Sequence, residues 1–139
     1  MRGHIFTLEE ANGALPLVRT VIEDLQSDYR RLKSYRQMLR ALEDISRDQV
    51  RDIEYRRWVA KEKVMALETD LERYLKELDL IGCSLRDIET GLVDFPTTVE
   101  GKLGYFCWQA GENAIGFWHE LEEDGEDVRK PLPSNLLSC

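Results

Sequence analysis

The sequence predicts an α+β fold: a long antiparallel helical hairpin, coiled-coil-like, followed by a small antiparallel sheet of three to four strands. Three observations predict it. Apolar residues recur at steps of three and four from Val18 to Ile81, as helices with one buried stripe require. The period then changes, and residues 92–121 alternate loosely between two turn-forming stretches, Glu100-Gly101 and Ala110-Gly111-Glu112-Asn113. Finally, 139 residues suffice for one self-supporting core, so a single domain over 1–139 is expected. Within it, residues 7–81 form the hairpin with a short N-terminal helix, 82–121 the sheet and 122–139 an extended tail.

Thr7-Leu8-Glu9-Glu10 has the form of a capping box, in which Thr7 and Glu10 satisfy the free N–H groups of a helix start. A short helix follows and is expected to stop near Asn12-Gly13, because Pro16 suits the first turn of a second helix. The first long stripe is Val18, Ile22, Leu25, Tyr29, Leu32, Tyr35, Leu39 and Leu42. The second is Val50, Ile53, Arg57, Ala60, Val64, Leu67, Leu71, Tyr74, Leu78 and Ile81, where Arg57 alone is not apolar. Between them Ser46 and Gln49 have the spacing of another capping box, although the turn lacks Gly and Pro and is placed by phase alone. Helices of about 30 residues each reach about 45 Å and, joined by a short turn, fold back seam to seam. The alternative is one uninterrupted helix that pairs with another chain. Trp58 and Met65, seven apart, are read as lying beside the seam and widening it toward the sheet or a second subunit.

Gly82 is placed to end the second helix. Cys83 to Ile88 is a candidate first strand, and Gly3 to Phe6 can add another. A two-residue loop at Glu100-Gly101 pairs Phe95 with Phe106, Val93 with Trp108 and Asp94 with Cys107, gathering the apolar residues on one face. The second hairpin admits two registers. A four-residue loop over 110–113 puts Ile115, Phe117, His119 and Leu121 on the helix side and Trp118 and Glu120 with Asp94. A three- or five-residue loop reverses this and brings His119 to Cys107, Asp94 and Tyr105. Apolar burial favours the first.

A net charge of −8 argues against a nonspecific nucleic-acid binder, which needs clustered Lys and Arg. The aromatic block suggests base stacking, but Glu112, Glu120, Glu122, Glu123 and Asp124 would repel a phosphate backbone. No apolar run reaches the roughly 18 residues of a membrane span, and the N-terminus turns acidic before a signal-peptide core develops. A cytoplasmic protein is therefore expected. Cys83, Cys107 and Cys139 are odd in number and contain no CxxC pair, which points to reduced thiols.

FTLEEANGALP near the start, GLVDFP in the middle and YFCW, GE and IGFWHEL near the end resemble the domain of unknown function 2203 family, a set of short bacterial proteins. The resemblance spans nearly the whole chain and is most specific in the C-terminal aromatic block. It implies no reaction, because that family carries no assigned activity. The family's tail ends in a Gly-Arg-Pro-Leu-like motif; here GEDVRKPL keeps Arg129 and Pro131-Leu132, and the departure leaves the role of Arg129 open.

Two function classes stand on the residues. Asp94, Cys107, Glu112 and His119, with Glu120 and Asp87 near them in sequence, are competent ligands for a divalent metal such as zinc. Their spacing forms no compact motif, and His4 is the only other histidine. Cys107 and His119 could also act as a thiolate–imidazolium pair oriented by Asp94 or Glu120, provided a cation or helix N-terminus activates the thiol. A carboxylate pair, Asp94 with Glu112 or Glu120, and a phosphate-binding loop have no better sequence support. The other class is an interaction module. Arg30, Arg31, Lys33, Arg36 and Arg40 make the first helix basic, while Glu62, Glu68, Asp70, Glu72 and Glu77 weight the second toward acid. The expectation is a non-catalytic cytoplasmic module for self-association or protein interaction, a homo-oligomer (dimer) that binds neither nucleic acid nor membrane. The alternative is a metal-binding protein or metal-dependent enzyme centred on Asp94, Cys107 and His119.

Overall fold

The computed structural model of the chain describes residues 4–45, 50–121 and 129–137. Two long helices, α1 (Leu8–Glu43) and α2 (Val50–Ile81), precede strands β1 (Ser84–Asp87), β2 (Leu92–Val99), β3 (Lys102–Gln109), β4 (Phe117–Glu120) and β5 (Lys130–Pro131), and a final helical turn, α3 (Ser134–Leu137). The strands form one antiparallel sheet in chain order, β1-β2-β3-β4-β5. The architecture is the predicted α+β, with one strand more than expected because Lys130–Pro131 pairs with β4. None of the described helices is long and apolar enough to cross a membrane.

The Thr7–Glu10 capping box is present: Thr7 N–H donates to Glu10 Oε1 at 2.9 Å and Glu10 N–H to Thr7 Oγ1 at 3.0 Å. The expected break near Asn12-Gly13 is not. α1 runs unbroken through Gly13 and Pro16. An interior proline costs about 3 kcal/mol, but Ala11, Leu15, Val18, Ile22 and Leu25 make one continuous buried stripe across it. Burying each large member is worth about 2 kcal/mol, and a break would swing Leu15 and Ala11 away from the core. The capping box expected at Ser46 and Gln49 lies outside the described residues.

The hairpin is antiparallel, as three cross-links show. Tyr74 Oη donates to Asp28 Oδ2 at 3.0 Å, Arg36 meets Glu68 at 2.9 Å, and Arg57 reaches Leu42. Arg57, the one polar member of its stripe, has a clear task. Its Nη2 donates to the carbonyls of Leu42 at 2.6 Å and Ile45 at 3.2 Å, and its Nε to Leu42 at 3.1 Å. Leu42 is in the last turn of α1 and Ile45 just beyond it, where helix carbonyls run out of internal donors and the dipole favours a cation.

α2 ends as predicted at Gly82. Cys83 N–H returns to Leu78 O at 3.1 Å and Gly82 N–H to Asp79 O at 3.1 Å, a Schellman arrangement. At the β2–β3 turn Glu100 and Gly101 both have positive φ, 51° and 81°, the backbone of a two-residue type I′ loop. The register is the predicted one: Val93 opposite Trp108, Asp94 opposite Cys107, Phe95 opposite Phe106. Val93, Phe95, Val99, Phe106 and Trp108 pack on the N-terminal half of α1 and on Tyr74 and Leu78 of α2. Phe6 does not form a strand, yet its N–H donates to Pro96 O at 2.7 Å and its carbonyl accepts from Thr97 Oγ1 at 2.8 Å.

Arg57→Met is expected to lower stability by about 1–2 kcal/mol, since it strips charged donors from the end of α1 while keeping the apolar stem. Urea denaturation followed by far-UV circular dichroism checks this.

Candidate functional site

The side of the sheet facing away from the helices is where the polar candidates gather, and strand parity decides which of them meet. β4 pairs Phe106 with Trp118, Tyr105 with His119 and Cys107 with Phe117. This is the second of the two registers, not the one apolar burial favoured. Trp118 packs against the core, His119 shares the face of Asp94 and Cys107, and Leu121 is exposed. The reason lies outside the strand. Ile115 reaches the core from the preceding loop, its N–H held by Asn12 Oδ1 at 2.9 Å, so its burial sets no parity for β4. Phe117 is covered on the other face by the Arg129 guanidinium, 4.2 Å from its ring centre.

Two arginines arrive from opposite edges of the sheet and lie over its middle. Arg86 of β1 donates from Nε to Asp94 Oδ2 at 2.9 Å. The other oxygen, Oδ1, lies 3.2 Å from His119 Nε2. His119 Nδ1 is 3.0 Å from the Glu120 carbonyl and, at the outer limit of a hydrogen bond, 3.5 Å from Arg86 Nη2. Tyr105 stacks at a tilt on the imidazole, with ring centres 5.2 Å apart. His119 is fully buried and Asp94 nearly so. Asp94 thus has both oxygens engaged.

Arg129, just before β5, makes the second half of the layer. Its Nη2 donates to Glu112 Oε1 at 2.8 Å, Glu112 Oε2 at 3.1 Å and Cys107 O at 3.1 Å, and its Nη1 to Gln109 Oε1 at 3.3 Å. Glu112 Oε1 also accepts the Gln109 N–H at 2.8 Å, and the Glu112 carbonyl accepts the Trp108 indole N–H at 2.9 Å. Arg19 of α1 donates to the carbonyl of Asn113. Glu112 therefore fixes the β3–β4 loop.

The four predicted site residues thus fall into two groups. Asp94 and His119 meet directly, with Arg86 on the other oxygen of Asp94, whereas Glu112 is tied by Arg129 to the Cys107 backbone. No group of three or more His, Cys, Asp and Glu is placed to hold a metal ion among the described residues. A divalent ion bound at Asp94 would have to displace Arg86 first. The Cys107 thiol is pushed up to about 11, chiefly by burial and further by the Asp94 charge, with Arg129 pulling weakly the other way. Burial pushes Cys83 up to about 12. Both are protonated thiols at neutral pH, and Cys83 Sγ points at Leu78 O at 3.6 Å.

Arg86 is the residue that sequence reasoning missed. It sits where the β1–β2 register shifts between Leu85 and Asp87, a bulge position from which its guanidinium reaches Asp94 and which simple strand alternation does not reveal. The family model described as "Uncharacterized conserved protein (DUF2203)" matches residues 4–132. The chain belongs to the DUF2203 family. No curated protein and no solved structure matches it. The span that defines this DUF2203 chain runs from just before Phe6 to Leu132, both core residues, and so takes in all five strands and both arginines of the polar layer.

Arg86→Met should cost about 3 kcal/mol or more by leaving Asp94 short of its cation, and adding Asp94→Leu should recover part of the loss. A double-mutant cycle in urea reads both. The raised thiol values fix a second expectation. Above the ordinary thiol value of 9.0 the unfolded chain loses protons that the folded chain keeps up to about 11, so stability falls as pH rises through that window. Melting temperatures measured across it should drop less steeply in a Cys83→Ala, Cys107→Ala variant.

Proposed function

We propose that the protein is a non-catalytic module that self-associates through the outer face of its helical hairpin. The supporting observation is an apolar patch on α2: Tyr55 is 64% exposed, Trp58 59% and Met65 61%. These three large side chains lie within three turns of one helix, and Tyr55 and Trp58 touch, their ring centres 6.3 Å apart. Trp58 and Met65 were expected beside the hairpin seam. They sit opposite it, because the seam residues Ala60 and Leu67 each follow by two positions, about 200° around the helix. Nor does the sheet cover them, since it packs on α1 and on the far end of α2.

Isolated surface apolar residues need no explanation, whereas a cluster with an exposed Trp and Met has the composition of a protein-binding surface. The polar layer on the sheet supports the same reading: its acids, imidazole and arginines are engaged with one another, and its thiol is protonated.

Size-exclusion chromatography with light scattering, at tens of micromolar, tests it. The wild type should run at twice the chain mass, and Trp58→Arg at the chain mass with unchanged helical content. A clean wild-type monomer at that concentration would overturn the reading.

A further inference from the structure

Self-association through α2 leaves the partner's orientation open, and any orientation assigned to that partner rests on the self-association itself. The outer stripe of α2 is Tyr55, Trp58, Glu62, Met65, Thr69 and Glu72, which alternate by three and four and are all exposed. It is a second seam with no partner among the described residues. We infer that its partner is the same stripe of a second copy, laid antiparallel, with Trp58 of each copy against Met65 of the other.

Charge and geometry select this arrangement. Parallel copies would bring Glu62 onto Glu62 and Glu72 onto Glu72, and facing like charges oppose association. Antiparallel copies related by a two-fold axis avoid that. The register that faces Trp58 with Met65 has its axis between Lys61 and Glu62, so each Lys61 meets the other copy's Glu62. Both side chains are exposed and available. The register therefore joins the two largest apolar contacts to two opposite-charge pairs, and the thioether of Met65 lies where sulfur–aromatic contact with the indole is favourable.

The overlap runs over residues 50–73 of each α2, about 36 Å of helix. Both sheets then lie beyond it, at opposite ends of the pair, since each sheet follows the C-terminal end of its own α2. Glu54 of one copy comes opposite Thr69 of the other. Within one chain these residues are 15 positions apart, about 22 Å along the helix, too far to bond to each other.

The test is a charge swap in the full chain, followed by sedimentation equilibrium. Lys61→Glu and Glu62→Lys should each weaken the dimer about tenfold, because each puts two like-charged pairs at the axis. The combined variant should restore it to near the wild-type value. As a second measurement, Glu54→Cys with Thr69→Cys, in a background with Cys139→Ser, should give a covalent dimer on mild oxidation. Neither single-cysteine variant should do so. A wild-type dimer that ignores the charge reversals and does not cross-link would overturn this register while leaving self-association standing. A wild-type monomer would overturn both.

Discussion

The fold depends on one helix serving two partners with one stripe. The N-terminal half of α1, from Ala11 to Leu25, buries that stripe against the sheet and the end of α2. The C-terminal half, through Leu32 to Leu42, is buried along the hairpin with α2. Everything else is positioned from this spine: Gln26 holds the carbonyls of Ile88 and Glu89 at the β1–β2 turn, Arg19 holds the β3–β4 loop and Asn12 holds Ile115. A helix that broke at Pro16 would separate the loop anchors from the hairpin. That is the physical sense of a proline kept inside a helix. It also makes the distal half of the hairpin two helices thick, so that no third element among the described residues covers the outer face of α2.

The sheet solves a different problem. Its helix-facing side is closed by apolar burial, whereas the opposite side is closed by ions. Asp94 and Glu112 each have an arginine, and the arginines come from the two edges of the sheet, so the pairs also tie outer segments to central strands. Such pairs are costly to desolvate, and their worth lies in how strongly they penalise alternatives. A slip of β4 by one residue would remove His119 from Asp94 and leave the Arg86–Asp94 pair facing Trp118. The polar layer thus reinforces a register that hydrophobicity alone does not select.

Much of this was legible in the sequence where one local rule applied without competition. The two helical stripes, the Thr7 cap, the Gly82 stop and the Glu100-Gly101 turn follow from spacing and backbone preference, and the turn fixed the Asp94–Cys107 pairing to the residue. The parity of β4 was not legible, because two long-range contacts decided it. Ile115 was buried from a loop held by a side chain about a hundred positions earlier, and Phe117 was covered by an arginine from the tail. Arg57 looked like a flaw in its stripe because its function lies across the hairpin, on carbonyls that sequence spacing does not reveal. Among the candidate site residues, the pairing of Asp94 with His119 was one of two readings, and the arginine on the other oxygen of Asp94 was in neither.

The strand order has a consequence for how the chain assembles. Each strand pairs with the one made just before it, and α2 packs on α1 in the same way, so most of the structure grows by local addition as synthesis proceeds. Among the exceptions are the contacts of the segment after β4. Arg129 and Leu132, which bonds to Gly116 O, complete the ion layer and the core only after both long helices and strands β1 to β4 have been made. Until then Phe117 and the Cys107 carbonyl lack their cover, and the nascent sheet exposes an unpaired edge at β4. The tail is the latch of the fold, and it closes last.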